Sequence, residues 1–252
     1  MTAGADDTSR LPGPADAARG LRARVYKAAS VAATPPAGYR VLLDGKALRT
    51  PARAEFIVPA QALAEAVAAE WNAQGASIDP ATLPLTALCN TAIDGIAGRE
   101  PLIRAEIASY AASDLLCYRA DGPEELERLE VATWDPILAW ARDALGAELA
   151  VAIGVMPVRQ SEAATSAIAR ALEPYDAFAL SALHMMTALA GSAVLALAHA
   201  HGRLDADEAW TAAHLDEDWQ IAKWGEDADA SARRARRWAE MDAASRLLAL
   251  LV

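Results

Sequence analysis

The longest apolar run in the chain is Ala177 to Ala198, AFALSALHMMTALAGSAVLALA. It carries no Asp, Glu, Lys or Arg, and His184 is its one strongly polar side chain. The length would suffice to cross a membrane. Three features argue against that. Much of the run is Ala, Ser and Gly, it lacks a Trp or Tyr belt, and its flanks (Glu173, Asp176, Asp205, Asp207) are acidic on both sides. The pattern predicts instead one central helix buried on all sides by its own protein and closed by Gly202. A stripe of small and weakly polar residues, including Ser181, His184, Ala188, Gly191 and Ser192, would let a second helix approach closely. Leu183, Met186 and Leu197 on the other side are larger knobs.

Upstream, the pattern has period two. Arg24–Val31 and Tyr39–Leu43 alternate weakly and read as strands. Asp44-Gly45 is the strongest turn signal, joining the second strand to Lys46–Thr50 as a hairpin, which Pro51 ends. Glu55–Val58 reads as a further short strand before Pro59. Gln61–Gln74 then turns helical, with Gly75 placed to cap it.

The proline-punctuated stretch SIDPATLP, Ser77 to Pro84, marks a domain boundary, and nearly everything after it has helical period. Leu85, Leu88, Cys89, Ala92 and Ile96 share a face. Pro101 suits the first turn of the next helix. Asp114–Arg119 is a short apolar segment stopped by Asp121-Gly122-Pro123. Glu124–Leu145 is amphipathic, with Leu126, Leu129, Thr133, Ile137 and Trp140 inward, and Pro136 is expected to interrupt it and start a second helix. Val151–Val155 reads as a short strand or an extended link. Ser161 is placed to cap a helix over Ser161–Leu172. Two helices follow the central one, Asp205–Lys223 and Ala232–Leu251. The expected fold class is α+β. A tail over 1–23 precedes a small mixed sheet-and-helix domain over 24–84 and a larger all-α domain over 85–252. The tail, rich in Pro, Gly and Ala and without an apolar core, is expected to be disordered and is not a secretory signal.

Charge narrows the partners. The net charge of -11 argues against nucleic acid and anionic membranes, and it suits a basic partner or simply keeps the protein soluble. Two cysteines, Cys89 and Cys117, make no disulfide scaffold and read as buried free thiols in a reducing compartment. That is the cytoplasm of a bacterium, or the mitochondrial matrix in a eukaryote.

Catalytic patterns are weak. His199 and His201 are two apart and point to different sides of a helix, so with His214, Asp205 and Asp207 they make a poor metal site. Neither cysteine sits in a nucleophile motif, and the chain has no phosphate-binding glycine loop, nucleophile elbow, zincin motif or dinucleotide fingerprint. No cofactor and no metal are expected.

The informative stretch is Leu215 to Asp229, LDEDWQIAKWGEDAD. Six carboxylates (Asp216, Glu217, Asp218, Glu226, Asp227, Asp229) face Lys223 alone, with Trp219 and Trp224 set among them. Asp216, Gln220 and Lys223 share one helical face and Gly225 ends the helix. Arg233-Arg234-Ala-Arg236-Arg237 follows, with Asp229 and Arg233 spaced for an ion pair if the next helix has begun. Such a segment can be a solvated face over core Trp residues. It can supply paired carboxylates for a hydrolase, which needs opposed acids across a cleft. Or it can be an acidic rim around aromatic anchors that binds a protein.

Here a resemblance enters. LDEDWQIAKWGED resembles the C-terminal signature of the F-type ATP synthase assembly chaperones that bind the free alpha subunit of the catalytic head. Three other stretches agree in order and spacing: VLLDGKALRTPAR followed by Glu70-Trp71, then DLLCYRAD (Asp114 to Asp121), then WDPILAWA (Trp134 to Ala141). Trp219 stands where that family more often has Phe. The resemblance covers Arg24 to the C-terminus. It implies a small α/β N-terminal domain, a larger helical one, and neither catalysis nor a cofactor. It also implies a masking role, holding an unassembled alpha subunit until the beta subunit replaces it. Such an orphan exposes apolar interface surface prone to wrong association.

Asp216, Glu217, Glu226 and Asp227 are then the expected charged rim of the contact, and Gln220 and Trp224 its hydrogen-bonding and apolar anchors. Trp71 and Trp134 are expected in the core, and the chain is expected to be monomeric. The alternative from another class is a helical hydrolase using carboxylates of Asp216–Asp229, which requires a deep cleft lined by acids of at least two helices with raised pKa values. A scaffold without a dedicated client is a third reading.

Overall fold

Asp44 and Gly45 take φ of 48° and 80°, the left-handed pair that a two-residue hairpin demands. The computed structural model that shows this describes residues 21–36, 38–154 and 156–252. The chain runs through β1 (Arg22–Ala23), β2 (Ala29–Ala33), β3 (Tyr39–Leu43), β4 (Lys46–Ala47), β5 (Ile57–Val58), helix α1 (Gln61–Asn72) and β6 (Ser77–Ile78). β3 is the centre of an antiparallel sheet. β2 pairs along one edge, Val31 opposite Val41, and β4 and β5 share the other. β1 pairs with β6 separately. The expected tail over 1–23 lies outside the described residues up to 20, while Arg22 and Ala23 form β1.

Of the single strand expected over Arg24–Val31, Ala29–Val31 lie in β2, and residues 24–28 are instead a bend between β1 and β2. The Asp44 carboxylate accepts from the amides of Lys27 and Ala28 at 2.9–3.1 Å, so these amides need no ladder partner. Those bonds hold the Asp44 carboxyl below its usual range. The strand expected over Lys46–Thr50 stops at Ala47, and Arg49 is left as an isolated bridge to Glu55. α1 buries Leu63, Ala64, Val67 and Ala68 and ends two residues before Gln74. Gln74 turns away to bond Thr82 Oγ1 and the amide of Asp79.

The step into the helical part is held by side chains. Glu70 on α1 accepts from the amides of Leu85 and Thr86 and from the Thr86 hydroxyl. Trp71 Nε1 donates to the same hydroxyl at 3.1 Å. The Glu70-Trp71 pair thus ties α1 to the start of α2 (Pro84–Asn90), across residue 84, and one apolar core runs through both sides. Trp71 is half-buried against that core, and Trp134 lies fully inside it.

α2 passes through a widened turn over Thr91–Ile96 into α3 (Glu100–Ser109), with Pro101 in its first turn. β7 (Tyr118–Arg119) follows the apolar segment after Asp114. α4 (Glu124–Trp140) runs unbroken through Pro136, against expectation. Pro136 and Ala132 both lie on the exposed face, so the Ala132 carbonyl that Pro136 leaves unpaired meets water. The buried face is Leu126, Glu130, Trp134 and Ile137. Leu129, expected inward, is largely exposed. β8 (Ala152–Ile153) pairs with β7 in parallel, inside the segment expected over Val151–Val155, whose last residue is outside the described ones. α5 (Glu162–Ala171) is capped by Ser161, which accepts from the Ala164 amide.

The central apolar run is two helices, not one. α6 (Ala177–Ala190) stops at Gly191, which takes φ 65°. Ser192 then caps α7 (Ala193–Ala200) by accepting from the Leu195 amide. Gly and Ser together are a stop and a start signal that apolarity on both sides concealed. α7 is enclosed from Ala193 to Ala198. α6 is buried along most of its length and pairs its half-exposed His184 with Glu106 at 3.1 Å.

The helix expected over Asp205–Lys223 is also divided. α8 (Ala206–Ala213) is capped by Asp205 and Glu208 reciprocally, and it breaks at His214. α9 (Leu215–Trp224) and α10 (Ala228–Leu250) complete the chain. α10 packs along α6, closing the helical layer over the core. No helix among the described residues is long and apolar enough to cross a membrane.

Candidate partner-binding surface

α9 carries most of the acidic segment. His214 is buried at the break before it, with Nδ1 2.8 Å from the carbonyl of Trp210 and its ring stacked 3.8 Å from the Trp210 ring. Burial pushes the His214 pKa down. Asp216, Glu217 and Asp218 occupy the first turn, where the helix dipole favours negative charge. Gly225, at φ 87°, ends α9. Two residues on, Asp227 accepts from the Ala230 amide at 2.8 Å and so starts α10.

Among the described residues, three ion pairs made by two cations fasten α9. Lys223 Nζ lies 2.6 Å from Glu125 on α4, and Arg234 on α10 lies 2.5 Å from Asp218 and 3.6 Å from Glu217. Among the described residues Asp229 and Arg233 form no ion pair, although α10 has begun there. The adjacent Arg234 is the one that reaches back to α9.

These constraints shape an open groove of about 250 Å³ between the end of α9 and the start of α10. Glu217, Gln220, Trp224, Glu226 and Asp227 all line it, five of the six expected contact residues. Trp224 is 74% exposed, a rare condition for an indole. Its ring stands edge-on to Trp219, 5.4 Å away, and Trp219 packs inward against the core. Trp219 therefore holds Trp224 outward.

The sixth residue, Asp216, points elsewhere. Asp216 and Lys223 look toward α4, while Gln220, at the edge of their shared face, belongs to the groove. Asp216 meets Glu130 of α4 in a basin of about 500 Å³ that is also lined by Arg119 and Trp134. Burial raises the carboxyl pKa of both acids, and the Asp216 charge raises that of Glu130 further. Glu130 is 1% exposed and accepts from the amide of Ala120 at 2.9 Å. Arg119 is anchored by Asp135 at 2.8 Å and lies over the Trp134 ring.

Sequence reading did not single out Glu130 or Arg119. A signal for Glu130 was present: it falls on the Leu126–Ile137 stripe, where an acid among apolar neighbours stands out. The histidines are held apart. His199 Nδ1 lies 3.1 Å from the Leu204 carbonyl, and His201 packs edge-on to Trp140. Among the described residues no three His, Cys, Asp or Glu side chains converge as a metal site.

Residues 23–142 match the family described as the ATP12 chaperone protein. Over nearly its whole length the chain also superposes on solved structures. An Agrobacterium tumefaciens protein, provisionally described as a chaperone, is 44% identical. The match covers 97% of this chain and 93% of that one, with a TM-score of 0.89. Atp12 from Paracoccus denitrificans is 37% identical over 92% of this chain and 99% of its own, with a TM-score of 0.86. A point mutant of the same protein matches equally well. This chain belongs to the ATP12 chaperone family. It is accordingly an assembly chaperone of the ATP synthase, and its α+β fold is the one these relatives share. α9 and α10 lie beyond residues 23–142 but inside the superposed length, so the Trp224 groove sits on a part of the fold common to the ATP12 relatives.

Proposed function

We propose that the chain binds the unassembled alpha subunit of the F-type ATP synthase and masks its subunit-interface surface until the beta subunit takes its place. It acts as a monomer in the bacterial cytoplasm and breaks no bonds. Family membership supports the assembly role. The observation that carries the docking face is the exposed Trp224 in an acidic groove, an anchor inside a polar rim, as protein interfaces are built. A temporary cover must suppress aggregation yet bind more weakly than the true partner. A shallow groove with one large anchor suits that requirement better than a deep pocket does.

One observation bears on the hydrolase alternative: Glu130 and Asp216 come from two helices and both have raised pKa values. Their arrangement does not suit the reaction. Carboxylates that cleave a glycosidic bond stand about 5–9.5 Å apart, with the bond between them. These two groups meet directly, and Glu130 has almost no contact with solvent.

The test is capture of purified alpha subunit by the wild-type chain and by the Trp224→Ala and Glu226→Lys variants, each checked by circular dichroism. Both residues are exposed, so both variants are expected to fold normally and to lose most of the captured subunit. Undiminished capture would remove the groove from the interface.

A further inference from the structure

The Trp224 groove is one end of a longer furrow. A saddle of about 340 Å³ continues from it, and Glu217 belongs to both. Beyond the saddle opens the Glu130–Asp216 basin, which shares Leu115, Trp134, Gly191 and Asp216 with it. From Trp224 back to Asp216 is about 12 Å along α9 at the rise of a helix. An extended chain covers that distance in about four residues.

The furrow is uneven in charge. Asp121, Glu130, Asp216, Glu217, Glu226 and Asp227 line it, against Arg119, Arg234 and Arg237. Arg119 is paired with Asp135, and Arg234 with Asp218 and, at 3.6 Å, with Glu217; Arg237 donates to the Leu189 carbonyl at 2.7 Å and keeps its charge in the saddle. Among the described residues Arg119 is the cation whose charge reaches the Glu130–Asp216 pair, and it forms no ion pair with either acid. Glu130 gives one oxygen to the Ala120 amide, and Asp216 Oδ1 is buried without a hydrogen-bond partner. A buried acceptor left open beside a second carboxyl is costly in the free chain, and a donor carrying positive charge would relieve it.

We infer that the furrow seats an extended basic segment of the client, with a lysine or arginine side chain received against Asp216 on the basin side of the Glu130–Asp216 pair and a second cation resting on the exposed face of Trp224. The inference rests on the reading that this face meets the client. It adds the chemistry of what enters: a segment of alternating basic and apolar residues, whose positive charge the chain's net -11 attracts from a distance.

The probe is a short fluorescein-labelled peptide alternating Arg or Lys with Val or Leu. A twin carries Glu at the basic positions. Both are titrated by anisotropy against the full chain at low salt. The basic peptide is expected to bind and the acidic twin not to bind. Asp216→Asn and Glu130→Gln should weaken binding about tenfold, the weight of one charge-assisted contact, while Asp216→Glu retains it. Equal binding of both peptides overturns the inference. So does wild-type affinity in a normally folded Asp216→Asn variant, or failure of Asp216→Glu to bind where Asp216→Asn does. Purified alpha subunit is tested alongside. Capture by wild type and Asp216→Asn alike overturns the cation seat and leaves the client reading standing. No capture by wild type overturns the client reading itself. Self-association of the chain that Asp216→Asn abolishes would assign the furrow to a second copy and overturn the inference.

Discussion

The indole nitrogen of Trp134 donates to the backbone carbonyl of Ala212 at 2.8 Å, joining residues 78 apart in sequence. The same ring lies under Arg119 and walls both the saddle and the basin. Trp134→Phe keeps an aromatic ring there but leaves the Ala212 carbonyl buried and unpaired. We expect a loss of about 1–3 kcal/mol, seen as a lower urea midpoint with an unchanged slope.

Asp114 is fully enclosed, and burial pushes its carboxyl up to about 6 despite amide bonds from Leu116 and Val194. The unfolded chain releases this proton near pH 4. Between roughly pH 4 and 6 the folded chain therefore holds a proton that the unfolded chain has lost. The contribution of this group is present in full below pH 4 and is lost as pH rises through 6. Asp114→Asn cannot titrate, so the stability difference between wild type and variant should move in favour of wild type on going from pH 7 to pH 4. The size is about 3 kcal/mol. Urea melts of both proteins across that range measure it, and a flat difference would show that the carboxyl is not held up.

Gly191 is left-handed, and a Cβ there would touch nothing nearer than Leu115 Cβ at 4.0 Å. The cost of Gly191→Ala is then conformational, about 1 kcal/mol, read as a lower melting temperature. Asn tolerates this conformation better, so Gly191→Asn should lose less. If Ala were neutral, α6 and α7 would be free to join as one rod.

Both cysteines are buried and unpaired. Burial pushes the Cys89 thiol up strongly and the Cys117 thiol up to about 12. Neither offers thiolate to a reagent in the folded state. Alkylation by a maleimide should be slow and should rise in step with unfolding as urea is added. Rapid labelling of either one in buffer would mark a local opening of the fold.

The outline of this fold was legible where local chemistry decides it. Asp44-Gly45 names its own turn, Ser161 its own cap, and the period of Leu63 and Val67 its own helix. What was hidden depended on contacts between distant residues. Nothing local says that Asp44 will satisfy the amides of Lys27 and Ala28 and so bend the first strand. Pro136 breaks no helix because the carbonyl it frees faces water, a matter of tertiary exposure. At Gly191-Ser192 the cue was present but surrounded by apolar residues that suggested continuity. The surface followed the same division. The acidic segment and its two tryptophans were conspicuous, and five of the six named residues line one groove. Asp216 instead turns toward Glu130 on α4, a neighbour far away in sequence that no local pattern announces.

Asp227 stands on the rim of the groove and also begins the longest helix in the molecule. Its carboxylate cannot take up that rim position until the Ala230 amide is in place. Completion of the groove is thereby coupled to completion of the fold. On the docking reading proposed above, a nascent or damaged copy, its last helix unmade, would have no finished seat to offer a client.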